Sequence, residues 1–179
     1  LVPYNMSMGL LAMAVAFVIA DNLATSYSMK GITSGLTALV VFLLVAAPAN
    51  YLALADGTTS LLMNCTYLGA QGLFTAIIVA LLTVEITRFC EIHNITIRLP
   101  EICPPALTNS FRTIVPMVIN VSIFYILSLL SSNYLGVSIP TLIEKVLATP
   151  IAAVDSVPGS LFLCAFMLLL WCCGVHGQM

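Results

Sequence analysis

Leu36-Thr37-Ala38-Leu39-Val40-Val41-Phe42-Leu43-Leu44-Val45 is apolar on every side of a helix, with one threonine as its only polar side chain. A helix of that kind offers no face to water and must lie against lipid or protein all round. It sits inside residues 31–55, one of five runs, with 1–20, 57–84, 113–143 and 156–179, that contain no Asp, Glu, Lys or Arg. Each run can supply the roughly 20 apolar residues that cross a bilayer. Across all 179 residues, 61% are hydrophobic and 7% charged, whereas soluble domains carry roughly 25% charge. Twelve charged residues cannot cover a soluble surface. The sequence therefore reads as an integral membrane protein, all-α in class: a polytopic transmembrane helical bundle of about five spans plus an amphipathic connector helix. A formal net charge of −2 excludes a basic nucleic-acid binder, and no long polar or Ser/Gly-rich tract suggests a disordered tail.

Outward from that stretch, the first span is expected over residues 6–26, closed by Tyr27 and Lys30, and the second over 35–54. Asp56-Gly57-Thr58-Thr59-Ser60 reads as a turn cluster, residues 61–71 as mixed, and 72–84 as a third span. Residues 85–112 hold six of the twelve charges and read as an aqueous arm. Within the arm, Ile95-Thr96-Ile97-Arg98-Leu99 alternates as a short strand would. Pro100, Pro104 and Pro105 oppose helix there, while Pro105 suits the first turn of the helix leading into a span at 113–130, which Pro116 would bend. Ile139, Leu142, Ile143, Val146, Leu147 and Ile151 then recur at helical spacing opposite Thr141, Glu144, Lys145 and Thr149, an amphipathic helix that Pro150 should limit. A last span at 161–173 delivers Gly174-Val175-His176-Gly177.

Lys30, Arg88, Arg98 and Arg112 fall on one side of these spans and Lys145 on the other, so the positive-inside bias puts the 85–112 arm in the cytoplasm. The chain opens at Leu1 and stops directly behind an apolar run. It is expected to be truncated at both ends, with an odd number of spans, most simply one, before Leu1. The six cysteines show no CxxC spacing, which argues against a disulfide framework. Cys90 and His93, with Cys103 nearby, are too few for structural zinc, and no metal or cofactor is expected.

Three patches carry a family likeness. Ala14-Val15-Ala16-Phe17-Val18-Ile19-Ala20-Asp21-Asn22-Leu23-Ala24-Thr25-Ser26-Tyr27, Ile97-Arg98-Leu99-Pro100-Glu101-Ile102-Cys103-Pro104-Pro105-Ala106-Leu107-Thr108-Asn109-Ser110-Phe111 and Leu170-Trp171-Cys172-Cys173-Gly174-Val175-His176-Gly177 follow one another along nearly the whole chain. The sequence resembles the EIIC permeases of the sugar phosphotransferase system (PTS), in the lactose, cellobiose and diacetylchitobiose group. Departures are Cys103, where the family usually has valine, and Cys172-Cys173, where aromatic residues are common. The resemblance covers the first half of such a permease. It implies a dimer-forming interface domain over residues 1–134, an amphipathic connector over 135–158, and the start of a sugar-binding domain at 159–179.

The function so implied is translocation of a sugar, a beta-linked disaccharide such as cellobiose, coupled to phosphorylation by a phospho-EIIB partner, in a homodimer in the bacterial cytoplasmic membrane. This chain would have no enzyme activity by itself, because the family's catalytic carboxylate lies beyond Met179. What a permease must supply is position, alignment of the 6-hydroxyl with phosphorus, and exclusion of water. His176 between Gly174 and Gly177 suits a sugar grip: an ionisable group at membrane depth is expensive, and glycine permits close backbone approach. From position alone His176 could equally cap a span, and it is the resemblance that favours sugar. Arg98, Glu101, Pro104, Pro105 and Arg112 are EIIB-contact candidates or a plain connecting loop. Trp171 fits an aromatic belt, and Asp21 and Asn22 fit a capping or pairing role. Two other readings stand beside this one: a membrane subunit of a respiratory or ion-translocating complex, disfavoured because the spans hold almost no acids or lysines, and an inactive truncated permease fragment.

Overall fold

The computed structural model describes residues 7–53, 59–95, 105–154, 159–161 and 164–165. Helix α1 is Leu11–Ser26, entered through a 3-10 turn at Met8–Leu10, and α2 is Gly31–Ala46. Strands β1 (Ala49–Ala53) and β2 (Thr59–Met63) follow, then a 3-10 turn at Ala70–Gly72 leads into α3, Leu73–Ile92. Helix α4 is Pro105–Leu130, continued by a π turn at Ser131–Leu135, and α5 is Ile139–Val154. Among the described residues, three helical stretches are long and apolar enough to cross a membrane: Met8–Ser26, Ala70–Ile92 and Phe111–Leu135. The shorter apolar helix α2 has 16 residues, about 24 Å at ~1.5 Å per residue, against a hydrocarbon core of about 30 Å. The expected last span lies almost wholly outside the described residues.

The chain divides into two compact units, Leu1–Pro140 and Thr141–Met179. In the first, α1 packs on α2 and α3 through a stripe that the sequence carries in plain view. Ala12, Ala16, Ala20 and Ala24, four residues apart, are all 0% exposed. Residues at i and i+4 lie one above the other on a helix, and small side chains there let helix backbones approach closely. Beside the stripe the fit is equally tight: a methyl group added at Gly35 of α2 would sit 2.8 Å from a ring carbon of Phe17. One end of the stripe packs with Ala38, Ala80 and Val84, the other with Val41, Phe42, Val45, Ala76 and Val79.

Several boundaries differ from the sequence reading, beginning with the second span, whose helix starts at Gly31 rather than at residue 35. The second span ends at Ala46 rather than at residue 54, where Ala47 precedes Pro48 and takes φ −131°, ψ 58°; a proline ring disfavours helical backbone in the residue before it. Residues 49–63, read as span end, turn and mixed segment, instead hold an antiparallel hairpin in which Ala49 pairs with Met63, Tyr51 with Leu61 and Ala53 with Thr59. Turn residues 56–58 lie outside the described residues. The third span does not give way to a loop at Glu85: α3 runs on to Ile92, since residues 85–92 contain no Gly or Pro and Glu and Arg are good helix formers. Finally, α5 continues past Pro150 to Val154; a proline removes one helical donor but its fixed φ remains helical. Likewise α4 starts at Pro105, as expected, and stays helical through Pro116. The strand expected at residues 95–99 lies outside the described residues beyond Ile95.

Both helices that end on the side of Lys30 and Arg88 close in the same way. After α1, Ser28 has φ 59°, its N–H donates to Thr25 O and that of Met29 to Ala24 O, each at 2.9 Å. After α3, Asn94 has φ 54°, its N–H donates to Glu91 O at 3.1 Å and that of Ile95 to Cys90 O at 2.8 Å. These are Schellman closures, which satisfy the last carbonyls of a helix through one left-handed residue.

Candidate functional site

His176, Gly174, Gly177 and Trp171 lie outside the described residues, as do Arg98, Glu101, Cys103 and Pro104. Pro105 opens α4, and Arg112 lies exposed two turns further along that helix. Asn22 donates from Nδ2 to Val18 O at 2.9 Å, a bond within its own helix. Asp21 faces the start of α2, where a methyl on Gly31 would collide with its carboxylate and with the Thr25 hydroxyl. Of the basic residues on that side, Arg88 pairs with Glu85. Cys90 is buried, and His93 Nδ1–H donates to Phe89 O at 2.9 Å with its ring against that of Phe89.

The described residues gather their polar chemistry at two places. The first joins α1 to α3. The Tyr27 hydroxyl donates to Glu85 Oε1 at 2.7 Å, Arg88 lies over the Tyr27 ring with its guanidinium carbon 4.1 Å from the centroid, and Arg88 Nη1 is 3.6 Å from Glu85 Oε2. The hydrogen bond to the Glu85 carboxylate raises the Tyr27 pKa above the ordinary 10.0, reinforced by the negative charge of Glu85 and opposed by Arg88. Tyr27 is thus a neutral donor at physiological pH. Sequence reading treated Tyr27 as a span end and Glu85 as loop; the available signal was Glu85 and Arg88 three apart behind an apolar run, one helix turn with opposite charges.

The second place is a buried polar seam between α3 and α4. Asn120 is 0% exposed; its Nδ2 donates to Pro116 O at 2.9 Å and to Thr87 Oγ1 at 3.1 Å, and Thr87 Oγ1 donates in turn to Thr83 O at 2.8 Å. Inside lipid such bonds join spans, at about 0.6 kcal/mol each on average. Toward the other end of α4 the hairpin, the end of α2 and the π turn enclose a cavity of about 730 Å³ bordered by Pro48, Met63, Tyr125, Ser128 and Ser132. Ser131 holds that turn by donating to Val137 O at 2.7 Å, ahead of the left-handed Gly136.

Comparison with known proteins decides what this bundle is. The model of the family "Phosphotransferase system, EIIC" matches residues 2–179. The chain belongs to the PTS EIIC family. Its helical membrane fold agrees with that of the solved transporter ChbC, "the IIC component from the N,N'-diacetylchitobiose-specific phosphotransferase system", with TM-score 0.80 and 30% identity over 98% of this chain and 42% of ChbC. A putative permease IIC component, YwbA of Bacillus subtilis (strain 168), is 34% identical over 98% of this chain and 40% of its own length. The lactose-specific EIICB component of Lacticaseibacillus casei is 34% identical over 99% of this chain and 30% of its length. This EIIC chain therefore spans well under half the length of the relatives it matches. EIIC membership makes the chain part of an integral membrane transporter and does not favour the respiratory or ion-translocating alternative.

Proposed function

We propose that the protein works as the membrane permease component of a sugar phosphotransferase system, in the bacterial cytoplasmic membrane. It moves a beta-linked disaccharide inward while a phosphorylated EIIB partner transfers phosphate to the 6-hydroxyl. The observation that carries this reading is the match of 98% of the chain to the diacetylchitobiose transporter at TM-score 0.80, supported by the lactose-specific relative; both of these sugars are disaccharides. In this reading residues 1–134 form the homodimer-forming interface domain, 135–158 the connector, and 159–179 the beginning of the sugar-binding domain. His176, flanked by Gly174 and Gly177, hydrogen-bonds sugar hydroxyls. Arg98, Glu101, Pro104, Pro105 and Arg112 contact EIIB. The chain contributes position and dryness rather than a covalent group, so it has no enzyme activity by itself.

The test uses the full open reading frame that encodes this chain, expressed in cells lacking their own EIIC permeases, with a phosphorylated EIIB and labelled cellobiose, lactose or diacetylchitobiose. The expected result is EIIB-dependent accumulation of sugar phosphate. His176→Ala should weaken binding roughly 3- to 100-fold, from the loss of a hydrogen bond of about 0.5–3 kcal/mol, with membrane insertion unchanged. Inserted protein that yields no sugar phosphate from any of the three would overturn the assignment.

A further inference from the structure

A groove of about 590 Å³ runs along α3 and α4, walled by Leu82, Ile86, Phe89, Ile92, Ile119 and Ile123, with Glu85 and Arg88 on its lining. Both walls belong to membrane-crossing stretches, Ala70–Ile92 and Phe111–Leu135, so the occupant competes with lipid rather than with water. The apolar walls alone would accept any acyl chain. Selectivity comes from the two charges. Arg88 and Glu85 are 42% and 49% exposed and 3.6 Å apart, longer than the ~2.7–2.9 Å of a full charge-assisted hydrogen bond. The Tyr27 ring fixes the guanidinium from one side, and the Tyr27 hydroxyl takes only one oxygen of Glu85. Arg88 therefore keeps N–H donors for a phosphate, and Glu85 keeps an acceptor for an ammonium, side by side in one groove.

We infer that this groove is a phospholipid site selective for phosphatidylethanolamine, with an acyl chain along Leu82, Phe89 and Ile123, the lipid phosphate on Arg88 and the primary ammonium on Glu85. An anionic headgroup would satisfy Arg88 but set its charge against Glu85. A choline headgroup carries the right charges but no N–H to donate to the carboxylate. Basic sites between spans on the cytoplasmic side commonly hold lipid headgroups; the acid beside this one is what narrows the choice.

The experiment is native mass spectrometry of the delipidated protein in detergent, titrated separately with phosphatidylethanolamine, phosphatidylglycerol and phosphatidylcholine. Phosphatidylethanolamine should be retained about five-fold better than either competitor, the scale of one charge contact near a membrane surface. Arg88→Gln should weaken retention of all three lipids. Glu85→Gln should abolish the preference by equalising phosphatidylethanolamine with phosphatidylglycerol, and Ile123→Trp should lower all retention by filling the groove. Equal or stronger retention of phosphatidylglycerol by the wild-type protein would overturn the inference, as would a preference unchanged in well-folded Glu85→Gln protein. Should Ile123→Trp dissociate a dimer without altering lipid retention, a second copy of the chain fills the groove and the lipid assignment fails. The wild-type comparison of the three lipids decides the matter even if a variant does not fold.

Discussion

Tyr27 and Glu85, 58 residues apart in sequence, meet through a 2.7 Å hydrogen bond that ties the turn after α1 to α3. The bond needs Tyr27 protonated, and the pKa of Tyr27 is raised accordingly. A group whose folded-state pKa lies above its unfolded value contributes stability that is complete below the unfolded value, here 10.0, and is lost as pH rises through the higher folded value. Tyr27→Phe keeps the ring under Arg88 and removes only the hydroxyl. Thermal unfolding in detergent should show the wild type more stable than Tyr27→Phe at neutral pH, with the gap closing above about pH 10. A gap that stays constant into that range would mean that the hydroxyl does not make this bond.

The α1–α2 turn places a serine in the left-handed region, with Ser28 at φ 59°. Left-handed backbone costs an L-residue roughly 1–2 kcal/mol, and glycine avoids that cost while losing some unfolded-state advantage. Ser28→Gly should therefore stabilise the protein by about 0.5–1 kcal/mol. Asn94→Gly should gain less, because asparagine tolerates this region. Equal gains at both positions in a melting comparison would contradict the strain argument.

Ala16 is 0% exposed in the middle of the alanine stripe. Ala16→Leu inserts three carbons where helix backbones approach closely, and overpacking of a close-packed interior costs about 1–3 kcal/mol. Leucine at position 18, which is 51% exposed in α1, should be nearly silent by comparison. Similar melting temperatures for Ala16→Leu and Val18→Leu would remove the stripe from the account of packing.

The basic residues predict orientation. Arg112 and Lys145 are both exposed and fall on opposite sides in the positive-inside reading. In intact cells, a cysteine replacing Arg112 should react with an impermeant maleimide only after the membrane is opened, and one replacing Lys145 should react from outside at once. The reverse pattern would invert the topology.

How much of this was legible along the chain can be seen from particular residues. Five charge-free runs were enough to declare a membrane bundle, because the cost of putting charge in hydrocarbon is a property of residue types and needs no partner. Pro105 as a helix start and Ser26 as a helix end were equally legible, being set by local backbone chemistry. The hairpin at residues 49–63 was not, since a strand is stabilised by the partner across from it, and Tyr51 opposite Leu61 leaves no trace in either segment alone. The alanine stripe was written in the sequence at four-residue spacing, yet composition alone treats alanine as mildly apolar filler; only the packing against Ala38 and Ala80 gives it meaning as a close approach. Sequence by itself determined class and family, through solvation and local backbone preference. Tertiary structure alone decided that Tyr27 meets Glu85 and that Asn120 meets Thr87, because hydrogen bonds between helices depend on rotation and depth, which packing sets.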